Sequence, residues 1–279
     1  MVSVTPQQLR DFLDRHRQAV LVEVTEAKGS TPREAGAWMV VSRDNEIGTI
    51  GGGQLEFLAI ARAREALESG EAAAALDIPL GPEIGQCCGG RVAIGMRAVD
   101  ADVAQDVRVR AEKAYMARPH VYVFGAGHVG NALGQALSLL PLRTLVVDNR
   151  AAEIAKVPHG VEARHVPVAE ALVREAPKGS SFVVLTHDHG LDFLIASEAL
   201  SRGDAAYVGM IGSKTKKATF KSWLSDMGLD TGMVEKLAMP IGGAEIRDKR
   251  PEVIAALTVA EILRAVGGRD LVLRRNLDD

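Results

Sequence analysis

The sequence predicts an α/β protein in which a small N-terminal α+β domain, residues 1–108, is followed by a domain with a mainly parallel sheet, residues 109–279. Three observations lead to this prediction. A chain of 279 residues is longer than a usual single domain. Its first half places strand-like segments around polar, glycine-rich loops. Its second half alternates apolar runs of strand length with helical patterns, which is typical of parallel strands joined by crossover helices.

The first domain begins with a predicted amphipathic helix, in which Leu9, Phe12 and Leu13 share one face and Thr5 is the N-cap. Two strands around a polar loop follow in AVLVEVTEAKGSTPREAGAWMVVS. The segment GTIGGGQLEF leads into a helix at residues 54–69, and RVAIGMRAV is typical of a further strand. Residues 100–118 are charged and carry few bulky apolar side chains, so the domain boundary is expected there.

The second domain is expected to consist of strands that alternate with helices. In chain order the pairs are VYVFG with GNALGQALSLL, TLVVD with AAEIAKV, SFVVLTHD with FLIASEALSRG, and AYVGMIGS with a lysine-rich helix. This pattern predicts a doubly wound sheet with helices on both faces.

A glycine motif marks the first of these pairs. Gly125, Gly127 and Gly130 have GxGxxG spacing directly after a strand and at the start of a helix, and Asp148 ends the next strand about twenty residues on. Such glycines allow a phosphate to approach backbone amides, and the acid is placed to bind a ribose. The motif therefore predicts a Rossmann-like domain. A nucleotide-like or phosphate-bearing ligand is favoured over a domain that has lost its nucleotide, because the acid accompanies the glycines.

Polar side chains follow two later strands of this domain, at the edge where open α/β sheets bind ligands. His187, His189 and Asp192 lie in THDHGLD, where hydrogen bonding to a ligand is favoured over a zinc site and a purely structural loop stays an alternative. Ser213 and Lys214 open the lysine-rich helix in IGSKTKK. These residues favour an anion site over a solvated basic surface.

The first domain has two glycine-rich loops, GSTPREAG and GTIGGG, and neither ends in the Gly-Lys-Ser/Thr of a phosphate-binding Walker loop. Arg33 is the fixed positive charge of the first loop. Its guanidinium could pair with an anionic ligand, or with Glu34 or Glu56.

Both cysteines of the chain, Cys87 and Cys88, are adjacent in GQCCGG. A disulfide between sequence neighbours strains the backbone, so free thiols in a reducing compartment are expected. Isolated cysteines usually pack as small hydrophobic residues, but the flanking glycines leave space and amides around the sulfurs, which favours a thiolate close to a ligand. Two thiols without a local histidine argue against zinc.

Composition excludes some classes of partner. The formal net charge is −3 and the pI is near 6.2, so the protein has no overall positive field for nucleic acid or an anionic membrane surface. No apolar run approaches the roughly 20 residues that span a bilayer, and the N-terminus lacks the apolar core of a signal peptide. A cytoplasmic protein is therefore expected.

Seven segments together resemble, in order, the blocks of the xanthine dehydrogenase accessory protein (XdhC) family. They are GSTPREAGAWMV, GTIGGGQLEF, IPLGPEIGQCCGG, VFGAGHVG, THDHGLD, VGMIGSKTKKATF and PIGGAEIRDKRPEVIA. The resemblance covers nearly the whole chain, and several of the blocks are specific.

The resemblance implies a cytoplasmic chaperone rather than an enzyme. Such a chaperone binds molybdenum cofactor, a molybdopterin, while a cysteine desulfurase replaces a terminal oxo ligand of the cofactor by sulfur. The chaperone then delivers the cofactor to the molybdenum subunit of apo xanthine dehydrogenase. It also implies that Cys87 and Cys88 contact the molybdenum, for which soft thiolates are suited. A homodimer is expected by association with these dimeric partners. The candidate cofactor-binding residues are Arg33, Gly51, Gly52, Gly53, Gln86, Cys87, Cys88, Gly89, Gly90, Gly125, Gly127, His128, Gly130, Asp148, His187, His189, Ser213 and Lys214.

Two other functions stay open at this point. An NAD(P)-dependent oxidoreductase is favoured by GAGHVG with Asp148. A sulfur carrier would hold a persulfide on Cys87 or Cys88 itself.

Overall fold

The structure, a computed structural model, describes residues 4–70, 75–81, 89–246 and 248–275, with residues 268–275 as backbone only. The chain divides into two compact units, residues 1–117 and 118–279. None of the described helices is long and apolar enough to cross a membrane. The first unit is mixed α/β around an antiparallel sheet and the second holds a parallel sheet, so the predicted fold class is confirmed.

The first unit is a five-stranded antiparallel sheet in the order β3-β2-β1-β5-β4, with helices on both faces. Its elements are α1 (Pro6–Arg15), β1 (Ala19–Lys28), β2 (Trp38–Ser42), β3 (Glu46–Gly48), α2 (Gly53–Ser69), β4 (Leu76–Pro79), β5 (Arg91–Ala98) and α3 (Ala101–Met116). Alternate residues of β1 face opposite sides, with Val20 and Val22 packed towards α2 and Leu21 towards α1 and α3. Burial on both faces explains the uninterrupted apolar run AVLV.

The segment expected to hold the boundary is a regular helix, α3. Asp100 is its N-cap and accepts a hydrogen bond from the Val103 amide. Val103, Val107 and Ala111 recur every four residues and pack against α1, so few apolar residues suffice to bury one face. The predicted boundary after residue 108 falls within this helix, whereas the structure divides the chain at Ala117.

The second unit is a parallel sheet in the order β10-β9-β6-β7-β8, covered on both faces. Its elements are β6 (His120–Phe124), α4 (His128–Ser138), β7 (Arg143–Asp148), α5 (Ala151–Ile154), β8 (Glu162–His165), α6 (Ala169–Glu175), β9 (Ser181–Val184), α7 (His189–Ser201), β10 (Tyr207–Met210), α8 (Lys214–Asp226), a 3₁₀ helix (Thr231–Lys236) and α9 (Pro251–Arg275). One face packs on α4 and α9, and the other on α6, α7 and α8.

The chain order of this sheet creates a crevice. From the central strand β6 the chain proceeds to β7 and β8 on one side, and then crosses to β9 and β10 on the other. Loops that leave β6 and β9 therefore diverge at the carboxyl edge of the sheet, which is where ligands bind in folds of this type.

Candidate functional site

Three glycine-rich segments of the first unit meet at one end of its sheet. They are residues 29–33 after β1, residues 49–53 leading into the first residue of α2, and Gly89 with Gly90 before β5. They meet because β1 and β5 are antiparallel partners, with Lys28 opposite Arg91, so the end of one strand adjoins the start of the other. Gly51, Gly52, Gly53, Gly89 and Gly90 are thus brought beside the Arg33 loop.

The contact between the first and third segments requires glycine. A Cβ on Gly90 would collide with the carbonyl oxygens of Ser30 and, at 2.7 Å, of Lys28. The pairing is closed on the other side by Leu80, whose amide donates to the Gly90 carbonyl at 2.7 Å and whose carbonyl accepts from the Gly89 amide at 2.8 Å. Close backbone contacts on both sides therefore surround Gly90.

Glu56 organises the middle segment. Its Oε2 accepts hydrogen bonds from the Thr49 hydroxyl at 2.5 Å, the Ile50 amide at 3.0 Å and the Gly52 amide at 3.1 Å. Gly51 has a φ of 133°, and a Cβ there would lie 2.9 Å from the Pro32 ring. The Glu56 bonds thus hold the loop in shape, and Gly51 lets it lie close to Pro32.

Open space and one cation remain in this cluster. Among the atoms of the described residues, none lies within 4 Å of a Cβ placed on Gly52 or Gly89, and Gly52 caps α2 without a side-chain hydrogen bond. Arg33 is the only charged residue of the three segments and is half-buried. Its backbone carbonyl accepts from the Thr31 hydroxyl at 3.0 Å, whereas its guanidinium makes no hydrogen bond or ion pair within the described ranges. An anionic group could bind here through the guanidinium and the free amides of the helix N-terminus.

Gln86, Cys87 and Cys88 lie outside the described residues. Gly89 follows Cys88 directly in the sequence, so the structure describes the chain from that point onward. The roles of these three residues stay predictions.

In the second unit the GxGxxG residues form the loop from β6 to α4. Gly125 has a φ of 120°, and a Cβ there would collide with the Leu185 carbonyl oxygen. A Cβ on Gly130 would collide with the Gly125 carbonyl oxygen, whereas Gly127 faces open space at the N-cap of α4. Gly125 thus forms the turn and Gly130 lets the helix pack closely, as expected of this motif, while ligand approach at Gly127 stays a prediction. His128 is exposed in the first turn of α4.

Asp148 lies at the end of β7 and is almost wholly buried. Its Oδ1 accepts from the Arg150 amide and from Arg150 Nε, both at 2.9 Å. Its Oδ2 accepts from the Ala126 amide and from Arg150 Nη2, both at 2.8 Å. Burial acts to raise the pKa of this carboxyl, but the hydrogen bonds from Arg150 and Ala126 outweigh it and lower the pKa to about 2. The carboxylate is therefore ionised and fully engaged.

The polar residues of THDHGLD differ in what they contact. His187 and His189 are exposed, and Asp188 between them is the N-cap of α7, accepting from the Gly190 and Leu191 amides. Those amide bonds lower the pKa of Asp188. His187 lines a narrow cleft whose other residues are Phe124, Gly125, Val147, Asp148, Asn149, Val166, Pro167, Ala169, Thr186 and Leu191.

Asp192, expected from the sequence beside these histidines, is instead wholly buried. Its Oδ1 accepts from the amide and hydroxyl of Thr186, at 2.9 and 2.7 Å, and its Oδ2 accepts from Lys216 Nζ at 2.6 Å. Lys216 also donates to the Ile211 carbonyl at 3.1 Å. This pair ties the loop after β9 to the start of α8.

The three lysines of the segment IGSKTKK therefore differ in whether they contact the protein or face solvent. Lys216 is engaged internally, and Lys217 Nζ contacts the Leu237 carbonyl at 3.4 Å. Ser213 is the N-cap of α8, accepting from the Lys216 amide, and Lys214 is exposed beside it. Of the three lysines, Lys214 is the one directed to solvent.

No group of three or more histidine, cysteine, aspartate or glutamate side chains suited to a metal ion occurs among the residues that the structure describes.

The sequence analysis did not predict three contacts: Arg150 with Asp148, Lys216 with Asp192, and Glu56 with residues 49–52. The Asp-Asn-Arg order after β7 was a usable signal for the first, since an Asp side chain readily bonds the residue two positions on.

Comparison with known proteins finds similarity to the XdhC family in both units. The family model described as the XdhC Rossmann domain matches residues 121–262, and the model described as the XdhC and CoxI family matches residues 12–78. YqeB of Escherichia coli strain K12, described as uncharacterized, is 26% identical over 249 residues. That alignment spans 88% of this chain but 43% of YqeB, so the chain spans about half the length of this relative.

A solved structure from Bacillus halodurans, described as a xanthine dehydrogenase, has the same fold with a TM-score of 0.70 and 17% identity. The match covers 95% of this chain and 97% of that one. Because the Rossmann-domain model alone spans more than half of the 279 residues, and the second model matches in the first unit, the chain belongs to the XdhC family.

Proposed function

We propose that this protein is an accessory protein of xanthine dehydrogenase maturation, which binds molybdenum cofactor in its first unit and delivers it to the apoenzyme. Family membership and the likeness to a structure described as a xanthine dehydrogenase support the accessory role. The observation that carries cofactor binding is the convergence of the three glycine-rich segments beside Arg33, directly before β5 and directly after the cysteine pair in the sequence.

The described residues fit a phosphorylated pterin. Gly52 and Gly89 carry no Cβ and have no described atom close to where one would lie, which suits the approach of a flat, bulky group. The half-buried guanidinium of Arg33 and the uncapped amides at the start of α2 suit its phosphate. Cys87 and Cys88 would supply the soft thiolates that molybdenum prefers.

A carrier needs affinity rather than turnover. It must hold the cofactor tightly enough to protect it and more weakly than the final enzyme does, so that transfer proceeds downhill. In this proposal a cysteine desulfurase acts on the bound cofactor in a reducing, cytoplasmic setting, and the protein works as a homodimer. Light scattering of the purified protein would test the dimer.

The test is retention of cofactor under anaerobic conditions. The protein is mixed with molybdenum cofactor, separated by gel filtration, and the retained cofactor is oxidised to its fluorescent pterin. Wild type, Cys87→Ala, Cys88→Ala and Arg33→Ala are compared with the control Arg62→Ala, an exposed arginine of α2 paired with Glu65. We expect stoichiometric retention by wild type and the control, and loss in Arg33→Ala and in one cysteine variant.

Absence of retention by wild type would contradict the proposal. Retention by every variant would keep the carrier function but remove these side chains from binding. A mass increase of one sulfur on the protein after incubation with desulfurase and cysteine would instead favour the sulfur carrier, in which a persulfide forms on a thiol of this chain.

A further inference from the structure

The crevice of the second unit has features that the proposed cofactor chaperone does not use. It lies where the loops after β6 and β9 diverge, and Gly125, Asp148, Thr186 and His187 line it. Gly127 faces open space at the uncapped start of α4, an 11-residue helix. A pyrophosphate could approach the backbone there.

The acid that would bind a ribose is already saturated. A carboxylate offers about four acceptor positions. All four on Asp148 are used, by the amides of Ala126 and Arg150 and by Nε and Nη2 of Arg150. A ribose with free 2′- and 3′-hydroxyls needs two of these positions. It could take them only by displacing the guanidinium.

The guanidinium itself retains donors. Arg150 Nη1 has no hydrogen bond or ion pair among the residues that the structure describes, and the side chain is 39% exposed. His165 ends β8 directly opposite Asp148 in the parallel register, and its Nε2 lies 3.0 Å from the Asn149 carbonyl. One acid is thus flanked by an arginine and a histidine, the side chains suited to a phosphate monoester.

We infer that the crevice of the second unit binds an adenine dinucleotide with a 2′-phosphate, NADP(H), in preference to NAD(H), with Arg150 as the selecting residue. Arg150 blocks the ribose hydroxyls from Asp148 and offers its remaining donors to the 2′-phosphate. Asp148 holds the guanidinium in place, and Ala126 links that pair to the glycine loop. This inference is independent of the cofactor site in the first unit.

The experiment is calorimetric titration of the full chain with NADPH, NADH, 2′,5′-ADP, 5′-AMP and inorganic phosphate. Wild type is compared with Arg150→Ala and with Arg174→Ala, a surface arginine of α6 paired with Glu198. Since a hydrogen bond to a charged group contributes about 1.5–3 kcal/mol, we expect NADPH to bind wild type at least about tenfold more tightly than NADH. The control should keep that preference.

Arg150→Ala should weaken NADPH at least about tenfold and strengthen NADH, because Asp148 regains free acceptors. Should Arg150→Ala unfold, Arg150→Lys keeps the charge without the bidentate bond and should narrow the preference.

Three outcomes would overturn the inference. They are equal or tighter binding of NADH by wild type, no binding of either dinucleotide at millimolar concentration, and equal binding of 5′-AMP, phosphate and 2′,5′-ADP.

Discussion

The buried pair of Lys216 with Asp192 makes the sharpest prediction for stability. Replacing Lys216 by Met removes the only described donor to Asp192 Oδ2, while Oδ1 keeps both bonds from Thr186. The Asp192 side chain is 0% exposed and that of Lys216 is 11% exposed, so the abandoned charge has little access to water. Removing one partner of a buried ion pair costs about 3–5 kcal/mol. We expect about 3 kcal/mol, at the lower end, because water can enter beside Lys216.

Urea unfolding followed by circular dichroism would measure this cost. In a thermal unfolding experiment on a unit the size of residues 118–279, the same loss of about 3 kcal/mol would lower Tm by roughly 6–12 °C. The control is Lys221→Met, on the exposed side of the same helix, which should change the free energy of unfolding by less than about 0.5 kcal/mol. The double variant Asp192→Asn, Lys216→Met should recover part of the loss, since no uncompensated charge remains.

A loss below about 1 kcal/mol for Lys216→Met would refute this reasoning, because it would mean that the pair is solvated. A double variant no more stable than Lys216→Met would show that packing of the lysine stem, and not its charge, is what matters.

Three further predictions concern the second unit. Gly130→Ala should lower its free energy of unfolding by several kcal/mol because the new Cβ meets a backbone carbonyl, whereas Gly127→Ala should fold normally; equal urea midpoints would contradict this. Because folding lowers the pKa of Asp148 to about 2, its ionised carboxylate stabilises the fold above pH 4, and this stabilisation is lost as the pH falls towards 2. Wild type should therefore be more stable than Asp148→Asn by up to about 2 kcal/mol at about pH 7, and the difference should shrink between about pH 4 and pH 2. A stability difference that stays constant with pH would contradict this prediction. Tyr207→Phe removes a 2.5 Å hydrogen bond to Glu261 and should cost about 1.5 kcal/mol in urea unfolding, while an unchanged midpoint would show that the bond contributes nothing.

Periodicity in the sequence was sufficient for most elements of the fold. The helix predicted at residues 54–69 is α2, the two strands around GSTPREAG are β1 and β2, and the alternation after residue 118 is the parallel sheet. These predictions succeed because local apolar patterns reflect which face of an element is buried. β4 was not predicted, since a short edge strand of mixed polarity carries little pattern.

The candidate site was predictable only in part. Glycine spacing indicated the loop of the second unit, and its turn and packing roles agree with the structure. The meeting of residues 29–33, 49–53 and 89–90 was not predictable, because it depends on strand pairing between segments more than sixty positions apart. The lysine-rich segment was interpreted as an anion site, which stays a prediction for Ser213 and Lys214. That Lys216 is directed inward by a carboxylate on another helix was not predictable from the segment itself.

By itself, then, the sequence determined the order of elements, the two-domain character, the glycine loops and the family, because each depends on local pattern or on ordered motifs. Tertiary structure alone decided which polar groups are free. Asp148 ends β7 and Asp192 lies in the first turn of α7, yet the first is saturated by Arg150 and the second is buried on Lys216. The physical reason is that a buried charge must find a partner, and packing decides whether that partner is a close neighbour in the chain, as Arg150 is, or a residue of another helix, as Lys216 is.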